Sequence, residues 1–168
     1  MIRKVEKEIS IIKSDPILIL TLPIAFLILI ILNLIKKIIL IRFGFLHSDR
    51  IGHFAANTEL FFCEEKKFSK SRNNILDFYY FPTNPCNKQL AKMIERKKTV
   101  IPRLVARPFC LIARRFKFLK DHVTGRSIAG DYDIYNLLDK YPSQLNFTKQ
   151  EELKGNAILD KIGIKKNF

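Results

Sequence analysis

From Pro16 to Ile35 the chain carries no charged side chain, and almost every position is apolar. A run of about 20 such residues matches the thickness of a bilayer's hydrocarbon core. Asp15 and Pro16 suit the cap and first position of a helix, and Lys36-Lys37 halts the run. No polar stripe gives the segment a sidedness, which argues against an ordinary core helix. No small-x-small cleavage site follows it and its charged lead-in is long, which argues against a cleaved signal peptide. The pattern predicts a membrane anchor over 16–37, crossing or, with Pro16, Pro23 and Asn33 as bending points, re-entrant. Within 1–15, Ile2, Val5, Ile9 and Ile12 form a helical apolar stripe among Lys and Glu, as in an interfacial helix.

Beyond the anchor the period changes. Ile38 to Phe45 is short, β-branched and aromatic, and predicts a buried strand. A loop over 47–53 and a helix over 54–65 follow, with Leu60, Phe61 and Cys63 on its apolar side. A polar connection over 66–74 leads to a second strand, 75–81. Asn87 caps a helix through about Lys97, and 99–101 is a third short strand. Arg103 to Lys120 predicts a helix with Arg103, Arg107, Arg114 and Lys117 on one side and Val105, Phe109, Ile112, Phe116 and Leu119 on the other; Pro108 should kink or restart it. A loop over 125–131 and a short helix over 133–141 come next. Thr148-x-x-Glu151 is a capping box for a helix through Ile162, with Gly163 as its C-cap and a further strand starting at Ile164. Strands alternating with helices at these lengths predict βαβ units: an α/β fold with a parallel sheet, built by residues 38–168.

The 168 residues include 30 Lys and Arg against 16 Asp and Glu, a net charge of +14. Such an excess suits nucleic acid, an anionic membrane or phosphorylated substrates. A lysine-, isoleucine- and asparagine-rich composition is also what an AT-rich genome produces, so the charge alone weighs little. Neither basic–aromatic RNA-binding strands nor a helix-turn-helix occurs, and nucleic acid is not an expected partner. High apolar content with 14 Phe and 5 Tyr excludes a disordered chain. Three widely spaced cysteines, Cys63, Cys86 and Cys110, exclude a disulfide scaffold, and no His/Cys pair has metal-ligand spacing. Neither metal nor other cofactor is expected. The basic residues near the anchor balance across it, but 26 of the 30 follow it and the thiols are unpaired, which favours a cytoplasmic body.

The stretch 41–65, IRFGFLHSDRIGHFAANTELFFCEE, resembles the opening of a family of bacterial glycosyltransferases associated with cell-surface polysaccharide genes. That family is distantly similar to the O-fucosyltransferase-like enzymes of the GT-B type. The likeness rests on Ser48-Asp49-Arg50-Ile51-Gly52-His53 after a strand, Asn57-Thr58-Glu59-Leu60 on the next helix, and Asp77-Phe78-Tyr79-Tyr80 as a strand. Leu145-x-Phe147-Thr148 and Ile162-Gly163-Ile164 extend it. The resemblance implies a Rossmann-like GT-B N-terminal domain on an inner-membrane anchor, transferring sugar from a nucleotide donor to a surface polysaccharide or lipid-linked acceptor. It spans only the family's N-terminal half. The second, donor-binding domain with its His-x-Arg-Asp motif would be absent, and a separate polypeptide carrying it is one implied partner.

On this reading Asp49 or His53 is the general base, Arg50 a fork-shaped donor to diphosphate, and Gly52 a point of close backbone approach before a helix N-terminus. Glu59 is a weaker substrate contact. Arg107 and Arg114 would meet either anionic headgroups or the pyrophosphate of a lipid-linked acceptor. The plainer account is that Asp49 caps its helix, Arg50 pairs with it, His53 packs, and the basic helix face is solvated. A rival function from another class is a non-catalytic, membrane-anchored interaction protein or a degenerate paralogue of the transferases.

Overall fold

The computed structural model of the chain describes residues 16–68, 74–125 and 132–164. The lead-in over 1–15, with its apolar stripe, lies outside them. Helix α1 (Pro16–Ile35) leads through a turn into strand β1 (Leu40–Phe45). Ile38 and Ile39, expected in the strand, instead donate their N–H groups to the Ile35 carbonyl and close the helix. A wide helical turn (His53–Asn57) runs into α2 (Thr58–Phe68), then β2 (Ile75–Tyr80), α3 (Lys88–Glu95), β3 (Thr99–Val100) and α4 (Arg103–Arg115). A tight turn (Lys117–His122), β4 (Val123–Thr124), α5 (Leu137–Lys140) and α6 (Lys149–Lys161) complete the order.

The local signals explain most boundaries. Asn87 accepts the N–H groups of Gln89 and Leu90 at 2.9 and 3.0 Å, which starts α3. Thr148 and Glu151 form the reciprocal capping box that starts α6, and Gly163 follows its end at φ 78°. Two expectations need correction. The helix from Arg103 runs on through Pro108 without restarting but ends at Arg115, because Phe116 is extended. The helix expected over 133–141 shrinks to Leu137–Lys140, because Asn136 turns left-handed and the Asp133 carboxylate accepts the N–H groups of Leu137 and Leu138. Ile164 lies in no strand, and the residues after it are outside the described part.

The four strands form one parallel sheet in the order β3-β2-β1-β4. The chain therefore steps outward from β1 to β3 and returns to the other side of β1. Strand alternation gives the sheet two faces. Ile41, Phe43, Phe45, Phe78 and Tyr80 join α4 and α1 in one core, where Phe43 stacks on Phe109 at 4.6 Å. On the opposite face Tyr79 packs with Phe54, Phe61 and Phe62 of the helical segment before β2 and with Ala91 and Ile94 of α3. Arg42 and Asp77, paired in register on this second face, make a two-pronged ion pair at 2.6 Å. That bond is the main reason the Arg42 pKa is raised.

Gly44 sits where β1 meets β4. A Cβ there would collide with the carbonyl oxygen of Thr124 and lie 2.6 Å from its carbon. Gly125 takes φ 89°, and a Cβ there would lie 3.0 Å from the Phe45 carbonyl oxygen.

Gly44→Ala should lower unfolding stability by about 2 kcal/mol or more, the range of a forced overpacking with backbone shift, measured by urea denaturation. Gly52→Ala, with nothing within 4 Å of the added carbon, is the matched control and should be neutral or stabilising. At low pH the start of α6 is the weak point. Glu151 is held down to about 2 by the Thr148 N–H, with help from Arg96, against an unfolded value near 4.5. Its contribution is full above the unfolded value and is lost as pH falls from about 4.5 towards 2. Amide exchange in the first turn of α6 should accelerate across that window, and Glu151→Gln should remove the step.

Candidate functional site at the strand reversal

In open α/β sheets ligands gather outside the carboxyl ends of the strands, where the strand order reverses. Here that point lies between β1 and β4, and the segment leaving β1 carries Asp49 to His53. Leu46 and Ser48 fix its exit. The Leu46 N–H reaches the Tyr80 carbonyl at 3.2 Å, and the fully buried Ser48 hydroxyl donates to the Thr83 carbonyl at 3.0 Å. The Cys86 N–H in turn donates to the Ser48 carbonyl at 2.8 Å. The loops after β1 and β2 are thus stapled together, and the next residues enter a helix at once, with Phe54 N–H on the Arg50 carbonyl at 2.8 Å.

Asp49 and Arg50 are both exposed and pair at 3.8 Å. His53 is half-buried, and the Asn57 side-chain nitrogen lies 2.9 Å from its Nδ1. An amide nitrogen only donates, so Nδ1 accepts and the neutral ring carries its proton on Nε2. In that tautomer His53 offers a donor, and the exposed Asp49 carboxylate offers an acceptor. His47 packs near it, ring centres 5.9 Å apart, and meets Phe45 edge-on at 5.1 Å. Arg114 from α4 lies over the Phe45 ring at 4.4 Å. Arg107 and Arg114 both favour the ionised form of Tyr80, although burial dominates and pushes its pKa well up. The basic face of α4 therefore stands over the carboxyl ends of β1 and β2.

The chain matches no family model, no curated protein and no solved structure.

The expected site residues separate into two groups. His53 and Arg114 are joined through His47 and Phe45, and Arg107 shares Tyr80 with Arg114. Glu59 stands apart: its carboxylate accepts the N–H groups of Gln144 and, at 2.9 Å, Leu145. It anchors the segment before α6. Gly52 has ordinary helical angles, φ −62° and ψ −49°, with open space around it, so no close backbone approach depends on it.

Two hollows lie elsewhere. One, of about 880 Å³, is lined by Lys36, Lys37, Arg42, Lys120 and Asp121 at the amino ends of the strands. The other, of about 520 Å³, is lined by Arg42, Glu65, Asp77 and Lys98. Asp49 to His53 line neither. In the second hollow Arg42 pairs with Asp77 and Lys98 with Glu65, the latter at 2.5 Å, while Lys66 and Lys97 add further positive charge to its lining. His47 was not among the expected site residues. The signal for it was positional, since it lies two residues past the end of β1.

Glu59→Ala should cost about 2 kcal/mol by leaving two backbone donors unpaired, read by thermal or urea unfolding. Arg50→Ala, at an exposed ion pair, should change stability by less than about 0.5 kcal/mol. A site role for Arg50 alone would show in ligand binding and not in unfolding.

Proposed function

We propose that the chain is the acceptor-side half of a membrane-associated glycosyltransferase of the GT-B kind, acting on a surface-polysaccharide or lipid-linked acceptor. The observation that carries this reading is the strand order 3-2-1-4 with Asp49 to His53 leaving β1 at its reversal. That order equals the first four strands of the doubly wound fold that binds nucleotides at the same point. In the proposed reaction the Asp49 carboxylate takes the proton of an acceptor hydroxyl as its oxygen attacks the sugar's anomeric carbon. The bond from that carbon to the diphosphate oxygen breaks, and the nucleoside diphosphate leaves with the electron pair. Arg50, the Nε2–H of His53, Arg107 and Arg114 supply donors to phosphate oxygens. The donor's nucleoside would be held mainly by a second domain, as the resemblance implies.

A non-catalytic interaction protein is the second reading. It is favoured by α6, which buries no residue among those described and exposes Leu153 and Ile158, with Ile162 exposed just past its end.

The chain should be expressed alone and with the adjacent reading frame, and titrated with a panel of nucleotide sugars. Saturable binding weakened about tenfold by Arg50→Ala, the loss of one charged phosphate contact, is the expected result. Asp49→Asn should keep binding and lose transfer. Tight association with another polypeptide and no sugar-nucleotide binding in either form would replace the transferase with the interaction protein.

A further inference from the structure

Helix α1 is long and apolar enough to cross a bilayer, yet it is not free on all sides. Leu18, Ala25 and Leu29 are buried, and Leu29 belongs to the same core as Phe43 and Tyr80 of the sheet and Ala106, Cys110 and Ala113 of α4. α1 lies beside α4 along its course. Ile17, Leu18 and Thr21 meet Leu104 and Arg107, the Phe26 ring meets Phe116 at 5.1 Å, and Lys36 pairs with Asp121 at 3.0 Å. If α1 stood upright in a bilayer, Arg107, Arg114, Arg115 and the sheet edge would be drawn to hydrocarbon depth. Each such charge costs several kcal/mol there, which opposes that orientation.

The outward side of α1 is a different surface. Ile17, Leu20, Ile24, Leu27, Ile31 and Leu34 recur at helical spacing and are exposed, Leu20 by 73% and Leu34 by 78%. No polar group interrupts the stripe: the Thr21 hydroxyl donates to its own helix at Ile17, and the Asn33 Oδ1 is buried against the protein. Exposed Ile38, Leu104, Phe116 and Phe118 widen it. Basic residues border it, with Lys36 and Lys37 at its end, Lys117 between the two phenylalanines, and Arg103 next to Leu104. An apolar plateau about 26 Å long at 1.5 Å per residue, rimmed by cations, complements an anionic lipid surface.

We infer that α1 lies flat in the membrane interface, its outward stripe dissolved among anionic lipids while its inner side remains part of the protein core. The chain is then monotopic and crosses nothing with α1. This stands on α1 and α4 alone, independently of any sugar chemistry.

The sequence contains no Trp, so single Trp substitutions report depth without background. Leu20→Trp, Leu27→Trp and Leu34→Trp, each in the full chain, should be mixed with vesicles of phosphatidylcholine and phosphatidylglycerol. Bromine labels on the acyl chains are placed either near the headgroups or near the bilayer centre. A flat helix gives the three positions similar quenching, stronger from the shallow label. Deep quenching at Leu27→Trp with shallow quenching at the other two would show a crossing helix and overturn the inference. No quenching, with the chain a dimer in solution, would mean a second copy covers the stripe and would overturn it equally. A Lys36→Glu/Lys37→Glu variant should bind the anionic vesicles roughly tenfold less than the parent chain, with the difference vanishing at high salt. Far-ultraviolet circular dichroism shows that each variant is folded.

Discussion

β1 is the central strand on which the sheet is assembled. It pairs with β2 on one side and β4 on the other, and its Ile41, Phe43 and Phe45 enter the core shared with α1 and α4. The closeness of β1 and β4 depends on the absence of side chains at Gly44 and Gly125, whose backbones nearly touch. A short two-residue strand with a weak ladder can dock there only because nothing holds it off. Were β1 and β4 to separate, the reversal of strand order would go, and with it the feature that turns the β1 exit into a candidate binding edge. Burial of Phe43 between Phe78 and Phe109 provides the complementary attraction, at roughly 2–3 kcal/mol for a fully buried aromatic of this size.

Elements whose signal is local could be read from the amino acids. The α/β alternation, the Asn87 and Thr148 caps and the long apolar helix all follow from spacing and from side chains that satisfy nearby backbone groups. What could not be read depended on distant partners. Glu59 looks like any exposed helical carboxylate until the Gln144–Leu145 backbone arrives, more than eighty residues later in sequence, and occupies it. Gly52 looked like the functional glycine because it stands in a loop-like motif. The glycine under steric constraint is Gly44, inside a strand whose neighbour is set by the crossover. The parallel direction of the sheet was expected from connection lengths; its order was not, because no local pattern records on which side of β1 the chain returns.

The apolar helix shows the same limit more sharply. Composition describes α1 as uniformly apolar, and by composition it can cross a bilayer. Packing divides it into an inner side that completes a protein core and an outer side that has no protein cover among the described residues. A hydrophobic sequence cannot encode that division through polarity, since both environments are apolar. It is encoded instead by the partners that folding supplies, with Leu29 sharing a core with Ala106 and Ala113 of α4 while Leu20, Leu27 and Leu34 face away.

The position of His53 carries the same logic into chemistry. A histidine after a strand, near an aspartate, suggests a base by type alone. Asn57, one helical turn on, takes its Nδ1 and leaves the ring a donor on the outward nitrogen. The acceptor beside it is Asp49, whose carboxylate is solvated and paired only with the neighbouring Arg50 among the interactions described. The candidate site thus divides its work by hydrogen-bond polarity: one acceptor at Asp49, and donors at Arg50, His53 and the α4 arginines around it. In the proposed transfer a hydroxyl would give up its proton to the first and a departing diphosphate would draw on the second, so the separation suits that proposal.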